Sequence, residues 1–297
     1  MSTPFNHTVS AAGPASGFSF TGRSNLSAEV KPHAGAPLII ALHGGTYSSE
    51  YFDIPRHSLL ELAAARGIPV IALDRPNYIG SSPLTSEGSI IEANAEVLGA
   101  AIGSIWDELG GDSAGVVLVA HSIGGAIATI IAATAQSWPL LGLATSGCLV
   151  RVPAESAGAW AALPDIPMID LPVPLKDQLM FGPAGTYDDA MPAASYPSNT
   201  SVPKAELLDI TGGWIARRAE TTAKVAVPVH HRSAEFDHLW VVSQDEVDEY
   251  RAGFTSAASV DVQLQLAAGH CIDFHLPSGE FQGSQLDFAQ QSASARV

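Results

Sequence analysis

The stretch GVVLVAHSIGG, Gly115 to Gly125, decides how this chain is read. Val116 to Val119 form a continuous, β-branched-rich apolar run, the pattern of a strand covered on both faces. Ile123, Ala126, Ile127, Ile130 and Ile131 then recur at helical spacing. Ser122 stands between strand and helix. Ala120 and Gly124, two positions to either side, leave room for a turn too tight for larger side chains. A serine in this place can simply cap the helix that follows. It can also be a nucleophile raised on a strained strand-to-helix turn, and the rest of the chain decides between the two.

Working outward, PLIIALHGGT (Pro37 to Thr46) is a second buried apolar strand, running into a His-Gly-Gly turn. PVIALD (Pro69 to Asp74) is a third, followed by RPNYIGSSP. Phe18 to Arg23 and Ser27 to Lys31 read as opening antiparallel strands, and Leu59 to Ala65 as a helix closed by Gly67. Ile91, Ala95, Leu98, Ile102, Ile105 and Leu109 line one face of an amphipathic helix that ends at Gly110 and Gly111. Lys224 to His231 is a short strand-like run leading into RSAEFDHLW, and Val260 to Leu266 alternates like a strand before AAGHCIDFH. Strands alternating with helices predict an α/β fold with a mostly parallel sheet.

These pieces together resemble the α/β-hydrolase superfamily, in particular its serine esterases, lipases and thioesterases. The resemblance covers nearly the whole chain in layout and is specific at three short motifs. It implies a three-layer sandwich, a mostly parallel sheet with helices on both faces. Residues 1–149 and 223–297 would form the core, and 150–222 an inserted lid. Ser122 falls at the nucleophile, with Ala120 replacing the first glycine of G-x-S-x-G. The acid and base then follow in chain order: Asp237 after the next-to-last strand and His270, directly after Gly269, on the final loop. The gaps are 115 residues from Ser122 to Asp237 and 33 from Asp237 to His270. The resemblance places the oxyanion-hole donors at the backbone N–H of Ile123 and of Gly45, with Thr46 or Gly44 as alternatives. RPNYIGSSP resembles the family's D-R-P-G-x-G-x-S turn, with Asn77 and Ile79 in place of glycines. Asn tolerates positive φ, whereas Ile79 conflicts with that geometry.

The chemistry implied is acyl transfer. His270 takes the proton of Ser122 during attack and returns it to the leaving group, while Asp237 orients the ring and stabilises its charged form. Each partner has a rival. Glu235, two residues from Asp237, is the alternative acid. Asp273 and His275 follow His270 closely and suit a supporting or helix-capping role. His121 and His43 read as buried structural residues. His230 and His231 read as core packing or pocket lining, because no further ligand stands at metal-site spacing. No metal and no cofactor is expected. Cys148 and Cys271 are expected to be free thiols, although one bridge between them is allowed.

Eleven of the 20 prolines lie between Pro139 and Pro228, where the alternation of strand and helix breaks down. There the resemblance puts the lid, with Trp160, Met168, Leu179, Met180, Phe181 and Trp214 as candidates either to cover the nucleophile or to form the lid's own core. GPAGTYDDAMPAASYPSNTSVP (Gly182 to Pro203) is turn-rich, a composition that suits a mobile segment.

Length and charge fit this reading. The chain has 297 residues, 46% of them hydrophobic, enough for one large core with an insertion, and two separate domains are also within range. A net charge of −16 with 14 basic residues argues against a nucleic-acid groove or an anionic membrane surface. The opening MSTPFNHTVSAAG has neither the basic region nor the apolar stretch of a secretory signal, and no apolar run of about 18 residues offers a membrane span. A cytoplasmic enzyme is therefore expected. Its substrate would be a small, apolar acyl compound, cleaved as carboxylic ester, thioester or lactone. Serine at position 122 argues against the epoxide-hydrolase and dehalogenase branches, which use aspartate there, and leaves amidases, peptidases and acyltransferases open. Two other readings stay open: a lyase or cyclase using the same pocket without acylation, and a small-molecule receptor without turnover. A homodimer paired through lid or edge strands is also compatible with the fold.

Overall fold

Alternate residues of the strands serve opposite faces, and this sets the layers. In β3 (Pro37–Leu42), Leu38, Ile40 and Leu42 join one core cluster, while Ile39 and Ala41 join a second on the other side of the sheet. The computed structural model describes residues 2–295; Met1, Arg296 and Val297, at the ends of the two expected core segments, lie outside the described residues. Before β3 come β1 (Thr3–Thr8) and β2 (Ser19–Ser24). After it come α1 (Leu59–Ala65), β4 (Val70–Leu73), α2 (Ile90–Ile105), β5 (Gly115–His121), α3 (Ile123–Ala133) and β6 (Leu140–Ser146). Between β6 and the last strands lie α4 (Ala154–Ala161), β7 (Met168–Ile169), α5 (Val173–Met180), α6 (Met191–Ser195), β8 (Val202–Pro203), α7 (Lys204–Thr211) and α8 (Gly213–Lys224). The chain closes with β9 (Val229–Phe236), α9 (Gln244–Ala252), β10 (Val260–Gly269) and α10 (Ser278–Ser294).

Eight strands make one sheet in the order β1-β2-β4-β3-β5-β6-β9-β10. β1 and β2 pair antiparallel, β2 pairs antiparallel with β4, and every later neighbour is parallel. On one face Ile91, Leu98 and Ile102 of α2, Ile127 and Ile131 of α3 and Trp214 of α8 pack against Val116 and Leu118 of β5. On the other, Leu59 and Leu60 of α1 and Leu286, Ala289 and Ala293 of α10 cover Val117 and Val119. Helices on both faces explain why the central strands are apolar throughout rather than alternating. α1 and α2 both start at S-x-x-E capping sequences: Ser58 accepts from Glu61 N–H and Ser89 from Glu92 N–H, which satisfies donors the first turn leaves free.

Two strand expectations shift. Ser27 to Lys31 is a turn, not a strand: the Ser27 hydroxyl accepts from the N–H groups of Glu29 and Val30, and the antiparallel partner of β2 is Thr3–Thr8 instead. Short side-chain acceptors compete with strand pairing in this way. The strand expected at Lys224 to His231 begins at Val229, because Lys224 still belongs to α8. The expected 222/223 boundary accordingly falls inside α8, whose Trp214 is fully buried in the helix layer. The segment Gly182 to Pro203 is held at its second half, where Ser48 N–H donates to Ser198 O (2.9 Å) and Thr200 N–H to Thr46 O (2.9 Å).

Candidate active site

β5 delivers Ser122 to the top of the sheet. The residue has φ 53° and ψ −123°, left-handed backbone that a non-glycine residue holds only when its surroundings fix it. Its N–H donates to Ser146 O on the neighbouring strand (2.8 Å), and its carbonyl accepts the Cys148 thiol (3.0 Å). A Cβ on Gly124 would lie 2.4 Å from Leu42 O and 2.5 Å from His43 O, so only glycine lets α3 leave the turn this close to β3.

β10 ends at Gly269 and hands over to His270. There His270 Nε2 lies 2.9 Å from Ser122 Oγ, and Nδ1 lies 2.7 Å from Asp237 Oδ2. With the carboxylate accepting from Nδ1–H, Nε2 is left as acceptor for the serine hydroxyl. Leu239 N–H donates to the other carboxylate oxygen of Asp237 (2.8 Å), fixing its orientation. Glu235 is engaged elsewhere. It accepts from Ala267 N–H (2.9 Å) at an irregularity of β10 where Ala267 takes φ 56°.

Three further histidines, His121, His43 and His275, brace this arrangement. His121 stacks on Tyr51 (4.8 Å between centroids, 8° between planes) and bonds Ser146 Oγ (3.1 Å); burial holds it well below the usual histidine range. His43 donates from Nδ1 to Gly44 O (2.7 Å) and accepts Arg75 N–H at Nε2 (3.1 Å). His275 accepts two backbone N–H groups at Nε2, from Gly182 and Gly269 (2.9 Å each), and donates from Nδ1 to Cys271 O (2.7 Å). Burial pushes it down to about 4, so it stays neutral in this bridging role. Asp273 accepts from Tyr51 and Gln282. His230 and His231 bond Ser284, Thr145 and Ser233 away from the serine. Among the described residues no group of three or more His, Cys, Asp or Glu side chains is placed to hold a metal ion. Both cysteines are free and buried, and burial pushes the Cys271 thiol up to about 12.

The turn after β3 faces the serine. A Cβ on Gly44 would touch Ser122 Cβ and His121 Cδ2 (3.0 Å each), and one on Gly45 would lie 2.9 Å from Ile123 Cδ1. Thr46 follows at φ 65°, buried, with its hydroxyl unpartnered. Ile123 opens α3, so its N–H has no partner within the helix. Arg75 Nε donates to His43 O (2.9 Å) and Arg75 Nη2 to Gly44 O (3.2 Å). Because the C=O and N–H of one peptide point in opposite directions, this grip sets the direction of the Gly45 N–H.

Ser122 and His270 open on a narrow cavity of about 50 Å³, walled by Trp160, Met180, Leu207, Ile210, Leu239 and Trp240, with Gly45, Thr46 and Ile123 at its floor. Among the described residues no Asp, Glu, Lys or Arg lines it. Of the six expected covering residues, Trp160 and Met180 line this cavity. Phe181 and Leu179 pack into the core instead, Met168 lines a separate surface cleft, and Trp214 lies under α3.

The profile of the alpha/beta hydrolase family matches residues 39–281. The chain belongs to this family. Among solved structures this alpha/beta hydrolase is similar to a thermophilic esterase from Thermogutta terrifontis (15% identity, 98% of this chain and 99% of the other, TM-score 0.63). It is similar also to a putative lipase from Acinetobacter baumannii (10%, 99% and 93%, 0.68) and to a haloalkane dehalogenase from Bradyrhizobium elkanii (16%, 99% and 98%, 0.64). No curated protein matches it by sequence.

In the turn after β4 both positions hold positive φ, Asn77 at 73° and Ile79 at 49°, with the Ile79 side chain 67% exposed. The β-branched residue thus takes a strained conformation where nothing crowds it. Sequence reading missed Lys176, Glu206, Leu207, Ile210 and Trp240. Only Trp240, three residues beyond Asp237, stood near a motif that could have drawn attention to it.

Proposed function

We propose that the protein is a serine hydrolase that cleaves a carboxylic ester, thioester or lactone through an acyl-enzyme. Ser122 is the nucleophile, His270 the general base and then acid, and Asp237 the group that holds the imidazole tautomer. The backbone N–H groups of Ile123 and Gly45 stabilise the oxyanion. The observation that carries this reading is the continuous relay from Ser122 Oγ to His270 Nε2 (2.9 Å) and from His270 Nδ1 to Asp237 Oδ2 (2.7 Å), opening on an uncharged cavity.

In the forward step Ser122 Oγ bonds to the carbonyl carbon as its proton passes to His270 Nε2, and the carbonyl oxygen gains charge. Collapse expels the leaving group, which takes that proton, and water repeats the sequence on the acyl-enzyme. Fixed N–H donors aimed at the developing charge are worth a few kcal/mol each to the charged intermediate. Residues 150–222 supply the cover, and the neighbouring esterase and putative lipase are in keeping with acyl substrates.

The test is labelling by a fluorophosphonate together with a panel of esters, thioesters and lactones. The wild type is expected to be labelled stoichiometrically and Ser122→Ala not at all, with turnover of the best substrate lost in parallel. Retained activity in Ser122→Ala overturns the nucleophile. Turnover without an acyl-enzyme favours a lyase or cyclase, and saturable binding without turnover a receptor.

A further inference from the structure

The cover over Ser122 is attached unequally along its length. α7 carries Glu206, which grips Arg75 of the core bidentately (Nη1–Oε1 2.8 Å, Nη2–Oε2 2.9 Å) and accepts from Tyr78 OH (2.7 Å). Both side chains of this ion pair are fully buried. The same guanidinium holds the carbonyls of His43 and Gly44. α5 carries Lys176, 3% exposed, whose amine donates to Thr46 O (2.5 Å) and to the Asn199 side-chain carbonyl while lying 3.5 Å from the Tyr47 ring centre. His275 ties Gly182, just past α5, to Gly269.

Lifting α5 and α7 would therefore separate a buried arginine from its carboxylate and strip the turn beside Ser122 of its side-chain supports. Breaking such a pair while its members stay desolvated is strongly unfavourable. α4 is different: it buries none of its residues and is flanked by Pro153 and Pro164, yet its Trp160 lines the cavity.

We propose that α5 and α7 form a fixed roof welded to the turn beside Ser122, that substrate passes beneath α4 alone, and that the enzyme therefore takes single dissolved molecules with short, neutral, apolar acyl groups rather than lipids at an interface. A groove for long chains would need the roof to open. Leu207 and Ile210 of α7 instead close the cavity from above and set the length it accepts. This rests on the serine-hydrolase reading.

The experiment is a series of p-nitrophenyl esters from acetate to dodecanoate, with tributyrin assayed below and above its solubility limit. While the chain fits, kcat/KM is expected to rise about fourfold per methylene, the factor for burying one such group. It should then fall at least tenfold before dodecanoate, with no jump in rate when tributyrin forms droplets. Leu207→Ala is expected to move the optimum to longer chains, with Ser122 still labelled to completion by the fluorophosphonate. Dodecanoate turned over as fast as the best short ester, a jump at the solubility limit, or an optimum unmoved in Leu207→Ala overturns the fixed roof. The serine-hydrolase reading survives each of those outcomes. It fails only if no ester, thioester or lactone is cleaved or Ser122→Ala stays fully active, and the inference then falls with it.

Discussion

At residue scale, the site is held by backbone that nothing but its exact neighbours permits. Ser122 sits at φ 53°, a conformation that costs on the order of 1–3 kcal/mol and that the bond to Ser146 and the close passage of Gly124 under β3 enforce. Gly124→Ala drives a methyl to 2.4 Å from Leu42 O, and both atoms are fixed in secondary structure. It is expected to destabilise the fold by about 2 kcal/mol or more, read by urea unfolding, with labelling of Ser122 lost even in the folded fraction. The two carboxylates near His270 separate just as clearly. Asp237→Asn leaves the ring without its anionic partner and favours the wrong tautomer, so kcat is expected to fall by about 10⁴. Glu235→Gln keeps an acceptor for Ala267 N–H at a partly exposed bulge and only takes away its charge, which costs at most about 1 kcal/mol of stability and leaves turnover within a few-fold. Steady-state kinetics on the two variants checks this, and the reverse ranking would move the acid to Glu235. These residues were legible because each stands at the end of a strand with a recognisable pattern, Ser122 after VVLVA and His270 after Gly269. Glu235 and Asp237 could not be told apart by spacing, since only the path of β10 decides which of them faces the ring.

At the scale of elements, the same limit separates what patterns reveal from what packing decides. The central strands and α2 and α3 are announced by their own periodicity, while β1 (TPFNHT) has no apolar run and forms because β2 offers it an antiparallel edge. Nothing in KAELLDIT or VPLKDQLM marks Glu206 and Lys176 as buried, because a charge at helical spacing ordinarily lies on a solvated face, and it is their distant partners that draw them inside. Their energetics follow from burial. Glu206→Ala leaves Arg75 uncompensated in the interior and is expected to cost about 3–5 kcal/mol, whereas the paired change Arg75→Met with Glu206→Leu should recover most of that loss; thermal unfolding of the three proteins decides it. Lys176 behaves in the opposite sense. Burial lowers its amine to about 7 from 10.5, so between these values the unfolded chain binds a proton that the folded one does not. Its contribution is therefore absent above about 10.5 and becomes a penalty as pH falls toward 7, a slope worth a few kcal/mol over the whole window. The stability difference between wild type and Lys176→Met should accordingly shift in favour of wild type as pH is raised from 7 to 10. A difference that stays flat across this range would mean the amine is not desolvated.

At the scale of the whole molecule, charge and cavity act on substrate in different ways. Thirty acidic against 14 basic residues give the protein a net charge of −16, while the space in front of Ser122 carries no Asp, Glu, Lys or Arg on its walls. Among the described residues no helix is long and apolar enough to cross a membrane. An anionic ester meets two costs: repulsion on approach, which salt screens, and desolvation inside an apolar chamber, which salt leaves untouched. A neutral ester of the same size meets neither. The monoanionic half-ester of a dicarboxylic acid is therefore expected to react at least about tenfold more slowly, in kcat/KM, than its neutral methyl diester. Raising ionic strength from about 0.01 to 0.15 M shortens the screening length from roughly 30 to 8 Å. The gap should narrow as the approach term is screened, and then level off at a residue set by desolvation. The neutral ester should show no such dependence. A gap that closes completely with salt would place the discrimination wholly at the surface, and a preference for the anionic ester would mean that a cationic group reaches Ser122 during turnover.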